Sequence, residues 1–177
     1  KLLACDYSVL YEPGALKATV YKKTPAETQG LITRYGFTKH FFMNPYPGCT
    51  YAVRRDFFDA VKELWFDGSP HDEFLWLMAA VQDGAWFYNR VLMDYVRYSD
   101  NASGVRYKDV ALQKENLRYI HKQLCALQSF AAEHPDAVPV ERCKMLAAAQ
   151  IWCAKRQKLM ETRSPDSYPA FWYHKKQ

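Results

Sequence analysis

The stretch SPHDEFLWLMAAVQDGAWFY at positions 69–88 decides the fold of this chain. Its first residues, Ser69-Pro70-His71-Asp72, are typical of a helix start. The residues from Phe74 to Val81 are apolar on every side, and a helix without a polar face is a buried one. Gly84 predicts the end of that helix, and the apolar and aromatic residues after it favour a strand. A buried helix that leads into a strand predicts a mixed α/β core.

The residues before this stretch predict strands and short helices. The alternation over Asp6 to Tyr11 predicts a strand that ends in the turn Pro13-Gly14. Thr24-Pro25-Ala26-Glu27 is a capping box, which predicts a short helix that ends at Gly36. The other expected elements are a strand at His40–Met43, a turn at Asn44–Gly48, a helix at Arg54–Trp65 with Phe57, Val61, Leu64 and Trp65 on its apolar face, and strands or extended connections at Ala85–Tyr88 and Val91–Tyr98.

The pattern changes at about Lys108, where apolar residues begin to repeat every three or four positions on a polar-backed helix. This helix breaks at His134-Pro135, and a second one begins at about Val140. The short link between them predicts an antiparallel helical pair. We therefore expect a mostly helical α/β chain, with an α/β part at 1–106 and a helical extension at 107–177 that ends in a basic-aromatic tail. The expected core faces are Leu117, Ile120, Leu124, Leu127 and Ala131 on the first helix, and Cys143, Ala147, Gln150 and Ala154 on the second.

The composition is that of one soluble globular domain. Of the 177 residues, 49% are hydrophobic and 24% charged, which excludes a disordered or collagen-like protein. Five cysteines without a C-x-x-C pair argue against a disulfide framework or a zinc knuckle and favour a reducing compartment. The net charge of +5 is spread along the chain, so nucleic acid is not an expected partner. The aromatic content of 16% suits either a core or the stacking wall of a ligand cleft.

No complete cofactor site is visible in the sequence. The seven glycines are too scattered for a dinucleotide fingerprint or a phosphate-binding loop. There is no Asp-x-Asp pair to hold a divalent cation against a diphosphate, no zinc-ligand spacing and no nucleophile elbow.

Three short motifs are candidates for chemistry, and each has a structural alternative. The carboxylate of Asp72, at the mouth of the buried helix, is suited to remove a proton from a hydroxyl group, but Ser69-x-x-Asp72 is also a capping-box variant. Gly48 lets the backbone approach a ligand and Arg54 suits a phosphate or carbonyl group. The same segment is otherwise a strand end followed by solvated arginines. Tyr95 to Gly104 either lines a sugar or diphosphate pocket or forms a turn.

Taken in order, these motifs resemble the C-terminal half of the family 2 glycosyltransferases. The rhamnosyltransferase-like branch of that family has the pattern G-C-T-x-x-x-R, then H-D, then Y-R-x-H-x-x-N-x-x-G. The chain follows it with Gly48-Cys49-Thr50 and the arginines after them, with His71-Asp72, and with Tyr95 to Gly104. The resemblance covers about residues 40–105. Tyr95-Val96-Arg97-Tyr98 departs from the pattern, because the family's Arg and His are both replaced.

The resemblance implies the C-terminal part of a GT-A fold in a bacterial enzyme of cell-surface polysaccharide synthesis. Such an enzyme moves a sugar from a nucleotide-sugar to a hydroxyl acceptor with inversion at the anomeric carbon. Asp72 falls on the family's general base, and His71 lies beside it at the diphosphate or acceptor edge. Gly48-Cys49 falls on the segment that lines the donor sugar and the acceptor. Arg54 matches a basic residue at the next helix start, and Arg97 stands one position after the family's arginine.

The resemblance also implies partners. The donor is a UDP- or dTDP-sugar, the acceptor is a saccharide or a lipid-linked saccharide, and the enzyme is cytoplasmic with peripheral contact at the inner face of the membrane. In the family an Asp-x-Asp motif of the N-terminal half holds Mg²⁺ or Mn²⁺. This chain has no counterpart of that half, so we expect a C-terminal portion of a longer enzyme that binds no metal and is inactive alone.

Three roles remain open for the helices at 108–163, which either pack on the core, form a homodimer, or meet the acceptor or the membrane surface. The alternative hypothesis for the whole chain is a non-catalytic helical interaction or oligomerisation module, in which His71-Asp72 only caps a helix.

Overall fold

The computed structural model of the chain describes residues 1–15, 26–37, 46–98 and 110–162. The chain divides into two compact units. Within the described residues, the first unit holds a four-stranded sheet and two α-helices, and the second holds two longer helices. The first unit is formed by Lys1–Trp65 with Pro70–Val105, and the second by Phe66–Ser69 with Arg106–Gln177.

The sheet of the first unit is mixed. Its strands are β1 (Leu2–Tyr11), β2 (Ile32–Arg34), β3 (Tyr51–Val53) and β4 (Ala85–Arg97), in the order β2-β4-β1-β3. β1 and β4 are parallel, whereas β3 pairs antiparallel with β1 and β2 pairs antiparallel with β4. A parallel pair needs a long crossover, and the two helices of this unit, α1 (Arg55–Val61) and α2 (His71–Val81), lie in it. The expected mixed α/β fold is confirmed.

The core of the first unit forms where α2 meets β1 and β4. The residues from Trp76 to Val81 are all buried, so the prediction of a buried helix is confirmed. On the strands the buried positions alternate, because successive side chains of a strand point to opposite faces. The buried face holds Leu2 and Ala4 of β1 opposite Ala85 and Phe87 of β4.

The end of α2 is a Schellman motif built on an aspartate. The N–H of Gly84 donates to the carbonyl of Ala79 at 2.8 Å, and the N–H of Asp83 donates to that of Ala80 at 3.2 Å. The residue in the left-handed conformation is Asp83, with φ 57°. The helix ends where Gly84 predicts, but an aspartate occupies the position that glycine favours.

Replacing Asp83 by glycine should stabilise the protein, because glycine adopts a positive φ without the steric cost that an L side chain meets there. We expect the free energy of unfolding in urea to rise by up to about 1 kcal/mol. The surface ion pair of Asp83 with Arg34, at 3.9 Å, contributes little that would be lost. Asp83→Ala is the matched control and should give no such gain. An equal gain from both substitutions would assign the effect to loss of the carboxylate instead.

The segment after Gly30 forms a strand where the sequence predicts a helix. The structure has a 3-10 turn at Ala26–Thr28 followed by β2, so the prediction of a helix that ends at Gly36 is wrong. The N–H of Gly30 donates to the carbonyl of Asn89, and the N–H of Asn89 donates to that of Leu31. Pairing with β4 therefore overrides the local helix signal. Thr24-Pro25, the strand expected at His40–Met43 and Asn44-Pro45 lie outside the described residues.

Three elements differ from their predicted extent. β1 begins at Leu2 and not at Asp6, because its first residues pair with β3 and β4. The helix expected to reach Trp65 ends at Val61 and continues as a 3-10 turn at Lys62–Leu64. Phe57 and Val61 are buried as predicted, but Trp65 is 44% exposed, because the tighter turn moves it away from the buried face. β4 is one strand and not two. It has extra residues on both sides of the position opposite Asp6, where the register with β1 shifts, and the strand continues through them.

The second unit consists mainly of α3 (Val110–Glu133) and α4 (Val140–Thr162). The two helices run antiparallel, as predicted. The Sγ of Cys153 donates to the carbonyl of Leu117 at 3.4 Å, and the Nε2 of Gln150 lies 3.6 Å from the Sγ of Cys125. None of the described helices is both long and apolar enough to span a membrane.

The core face is predicted correctly for α3 but not for α4. The expected face of α3 is buried except at Ile120, which is half-buried. In α4 the buried residues are Leu146 and Cys153, each one position before the predicted Ala147 and Ala154. One residue rotates the face by about 100°. The predicted stripe of Cys143, Ala147, Gln150 and Ala154 is therefore wrong; only Gln150 is partly covered, and the other three are exposed.

Candidate active site

A 3-10 turn at Gly48–Thr50 meets the first turn of α2. The N–H of Gly48 donates to the Oδ2 of Asp72 at 3.1 Å, across 24 positions of the chain. A Cβ added at Gly48 would lie 2.6 Å from the Cβ of Asp72 and 3.3 Å from the Nε2 of His71. The structure therefore brings Gly48, Cys49, His71 and Asp72 together.

Ser69 and Asp72 do not form the capping box that the sequence offers as an alternative. α2 begins at His71, with Pro70 at the N-cap position and no side-chain capping hydrogen bond from it, so the prediction of Ser69 as the N-cap is wrong. The Oδ1 of Asp72 accepts the N–H of Glu73 at 2.9 Å, and its Oδ2 accepts the N–H of Gly48. Both oxygens are held by backbone donors, which fix the orientation of the carboxylate. A half-buried, oriented carboxylate of this kind can accept a proton from a hydroxyl group.

Cys49 lies beside this carboxylate and is exposed to solvent. Partial desolvation raises the pKa of its thiol, and the charge of Asp72 raises it further. The thiol is therefore held in its neutral form near neutral pH, which suits a contact with a sugar and not a nucleophile.

Replacing Asp72 by asparagine should speed the alkylation of Cys49, because the thiolate is the reactive form and the repelling charge is lost. The effect is partial, since desolvation is the larger cause of the raised pKa and remains. Site-resolved mass spectrometry after iodoacetamide treatment at pH 8 measures the rate. Cys143, exposed on α4, is the internal reference whose rate should stay constant. An unchanged Cys49 rate would mean that the two side chains do not interact in solution.

Arg97 is the last residue of β4 and lies near Tyr95 and Tyr7. Its guanidinium lies 5.9 Å from the centre of the Tyr95 ring, and the Tyr7 ring lies 5.7 Å from that of Tyr95 in an edge-on contact. Burial and then the charge of Asp6 raise the pKa of the Tyr7 phenol, while Arg97 opposes the rise. The charge of a Cys49 thiolate would raise the pKa of that phenol further. Asn101 and Gly104 lie outside the described residues.

Arg54 lies apart from Asp72. It is the N-cap residue of α1, at the opposite end of β3 from Gly48. Its guanidinium is exposed and pairs with Asp56, with 2.5 Å between Nη2 and Oδ2. This geometry fits a solvated arginine, the alternative that the sequence left open for this residue.

Asp6 belongs to the same region as Tyr7, although the motif pattern does not include it. Its side chain is buried, its Oδ1 accepts the N–H of Tyr7 at 2.8 Å, and the sheet register shifts on both sides of it. A buried carboxylate is costly unless it is hydrogen-bonded. The signal in the sequence is an acidic residue within the largely apolar strand LLACDYSVLY.

Aromatic rings form the core behind the site. Trp76, one turn after Asp72 on α2, is 0% exposed. The rings of Tyr35, Tyr46 and Tyr51 lie 4.8, 5.6 and 5.8 Å from its ring, centre to centre. Burial raises the pKa of the Tyr46 phenol far above its usual range, so this ring stays neutral. These four residues show that part of the aromatic excess serves packing.

An open cavity of about 360 Å³ lies elsewhere, at the ends of β1 and β3. Its lining includes Leu3, Ala52 and Trp86, which share the sheet face opposite the one that α2 covers. The cavity therefore does not belong to the Asp72 site.

Residues 1–15, 26–37, 46–98 and 110–162 contain no group of three His, Cys, Asp or Glu side chains arranged to hold a metal ion. No protein-family model, curated protein or solved structure matches the chain.

Proposed function

We propose that this chain is the acceptor-side part of an inverting glycosyltransferase with a GT-A fold. The observation that carries the proposal is the hydrogen bond from Gly48 to Asp72, which joins the G-C-T and H-D motifs into one site. A sheet in which β1 and β4 are parallel and β3 is antiparallel is compatible with such a fold. In the proposed enzyme Arg97 and Tyr7 supply a cation and an aromatic ring, groups suited to a diphosphate and a sugar.

In the proposed reaction Asp72 is the general base. Its carboxylate takes the proton of an acceptor hydroxyl held at about 3 Å, and the hydroxyl oxygen attacks the anomeric carbon of the donor sugar. The bond from that carbon to the diphosphate oxygen breaks, and the nucleoside diphosphate leaves with the electron pair. Attack from the face opposite the leaving group inverts the configuration. His71, exposed beside Asp72, borders the acceptor or the diphosphate.

The rest of the proposed enzyme binds the donor nucleotide. A UDP- or dTDP-sugar is the donor, a saccharide or lipid-linked saccharide is the acceptor, and a divalent cation belongs to a motif outside this chain. The proposed setting is bacterial cell-surface polysaccharide synthesis in the cytoplasm, with peripheral membrane contact. Homodimer formation through the helices of the second unit is part of the same proposal.

Product stereochemistry tests this function. The full-length protein that contains this chain is incubated with UDP- and dTDP-sugars and saccharide acceptors, and the anomeric configuration of the product is read by proton NMR. We expect an inverted linkage that requires the acceptor. Absence of transfer from every donor, or retention of configuration, would reject the proposal. The coding sequence upstream of Lys1 is a simpler check, because the proposal requires an Asp-x-Asp motif there.

A further inference from the structure

We propose that Gly48 is a positioning residue whose backbone N–H sets the orientation of the Asp72 carboxylate. This inference rests on the proposed function, since it concerns the base of that reaction. It gives Gly48 a role different from lining the donor sugar, because the contact seen is with a side chain of the protein.

The hydrogen bonds on Asp72 come from two directions. Gly48 donates to Oδ2 at 3.1 Å from the 3-10 turn, and Glu73 donates to Oδ1 at 2.9 Å from α2. The donor in α2 moves with the helix that carries Asp72, so it cannot by itself fix the carboxylate relative to the rest of the site. The donor at Gly48 comes from a separate segment and can. An ionised carboxylate has about four acceptor positions, so each oxygen still has room for a hydroxyl.

The segment that presents the Gly48 N–H is itself held firmly. The N–H and the Oγ1 of Thr50 both donate to the carbonyl of Pro47, at 2.9 and 2.8 Å, and Thr50 is buried. The hydroxyl of Tyr51 donates to the carbonyl of Tyr46 at 2.9 Å. These bonds fix the turn on both sides of Gly48, and a fixed donor is what orientation of a base requires.

The requirement for glycine at position 48 is one of space. An added Cβ would lie 2.6 Å from the Cβ of Asp72, an atom fixed to the α2 backbone that no rotamer change can move. Alanine would therefore push the turn away from α2 and lengthen the hydrogen bond. Gly36 offers a matched control, because a Cβ added there meets nothing within 4 Å.

The test measures transfer by the full-length protein in two variants. One is Gly48→Ala. The other replaces the amide of residue 48 by an ester, with glycolic acid in place of glycine, which removes the donor without adding a side chain. We expect kcat to fall about 10-fold to 100-fold in both, because misplacing a reacting group by 1 Å can cost 100-fold. KM for the donor should change less than about twofold, since ground-state binding is untouched. Gly36→Ala should leave both constants unchanged.

A double-mutant cycle separates positioning from general damage. If Gly48 acts through Asp72, the Gly48 substitutions should lower the residual rate of Asp72→Asn by less than about twofold, because effects of groups that act as a unit are not additive. Full additivity, or an ester variant with wild-type kcat, would overturn the positioning role. If Gly48→Ala does not fold, the cycle of the ester variant with Asp72→Asn decides, because the ester also weakens the Pro47 carbonyl that accepts the two Thr50 hydrogen bonds. The proposed function fails separately, when the wild type transfers no sugar or Asp72→Asn keeps its rate.

Discussion

Asp72→Asn should lower kcat for sugar transfer by the full-length protein by about 100-fold to 10,000-fold, the range that general base catalysis contributes. Asparagine is nearly the same size as aspartate but cannot accept a proton from the acceptor hydroxyl. It keeps one carbonyl oxygen, so one of the two backbone donors, Gly48 or Glu73, loses its acceptor. That loss costs about 1 kcal/mol of stability, which is too little to unfold a typical domain. The measurement is kcat at saturating donor and acceptor, with the melting temperature of each variant.

Glu73→Gln is the matched control for the Asp72 variant. Glu73 is the next residue on α2, and its substitution removes the same charge from the first turn of the helix. We expect its rate to stay within about fivefold of the wild type, because the helix-dipole effect of one charge is below about 1 kcal/mol. Equal losses of kcat in both variants would assign the effect to the negative charge at the start of α2. An unchanged kcat in Asp72→Asn would show that Asp72 is not the base.

The sequence predicts the elements whose signals are local. α2 is found because its buried run is contiguous, and its end is found at Gly84, although Asp83 is the residue that takes the left-handed conformation. β2 is missed because its strand exists only through pairing with β4, which local propensity cannot report. In α4 apolar residues occur on several sides, and Ile151 is 58% exposed, so no stripe identifies the core face.

The candidate site, too, could be predicted from the sequence only in part. The resemblance implies that Gly48 and Asp72 border one cleft, but the hydrogen bond and the close approach between them appear only in the folded chain. The order of the motifs cannot identify Asp6, because a single acidic residue in a strand forms no motif with a characteristic spacing. Arg54 matches the pattern by position and still pairs with Asp56 in solvent, because position along a chain does not fix where a long side chain goes.

Trp76→Ala should be the most destabilising single substitution considered for the first unit, at about 3–5 kcal/mol, the usual cost of truncating a buried tryptophan. Trp76 is fully buried, and the three tyrosine rings around it would line the cavity left behind. Each aromatic pair is worth about 0.5–1.5 kcal/mol beyond its buried area. Because whole domains are stable by about 5–15 kcal/mol, this loss is a large fraction of the total.

Two further variants make the Trp76 prediction specific. Trp65→Ala is the matched control, because this indole is 44% exposed and its truncation should cost clearly less. Trp76→Phe should cost less than its lost volume suggests, since the buried Nε1 of Trp76 has no hydrogen-bond partner in the described part of the chain and phenylalanine removes that penalty. Urea unfolding followed by circular dichroism measures all three. A cost for Trp76→Ala no larger than that for Trp65→Ala would show that the aromatic cluster behind Asp72 is not the centre of this core.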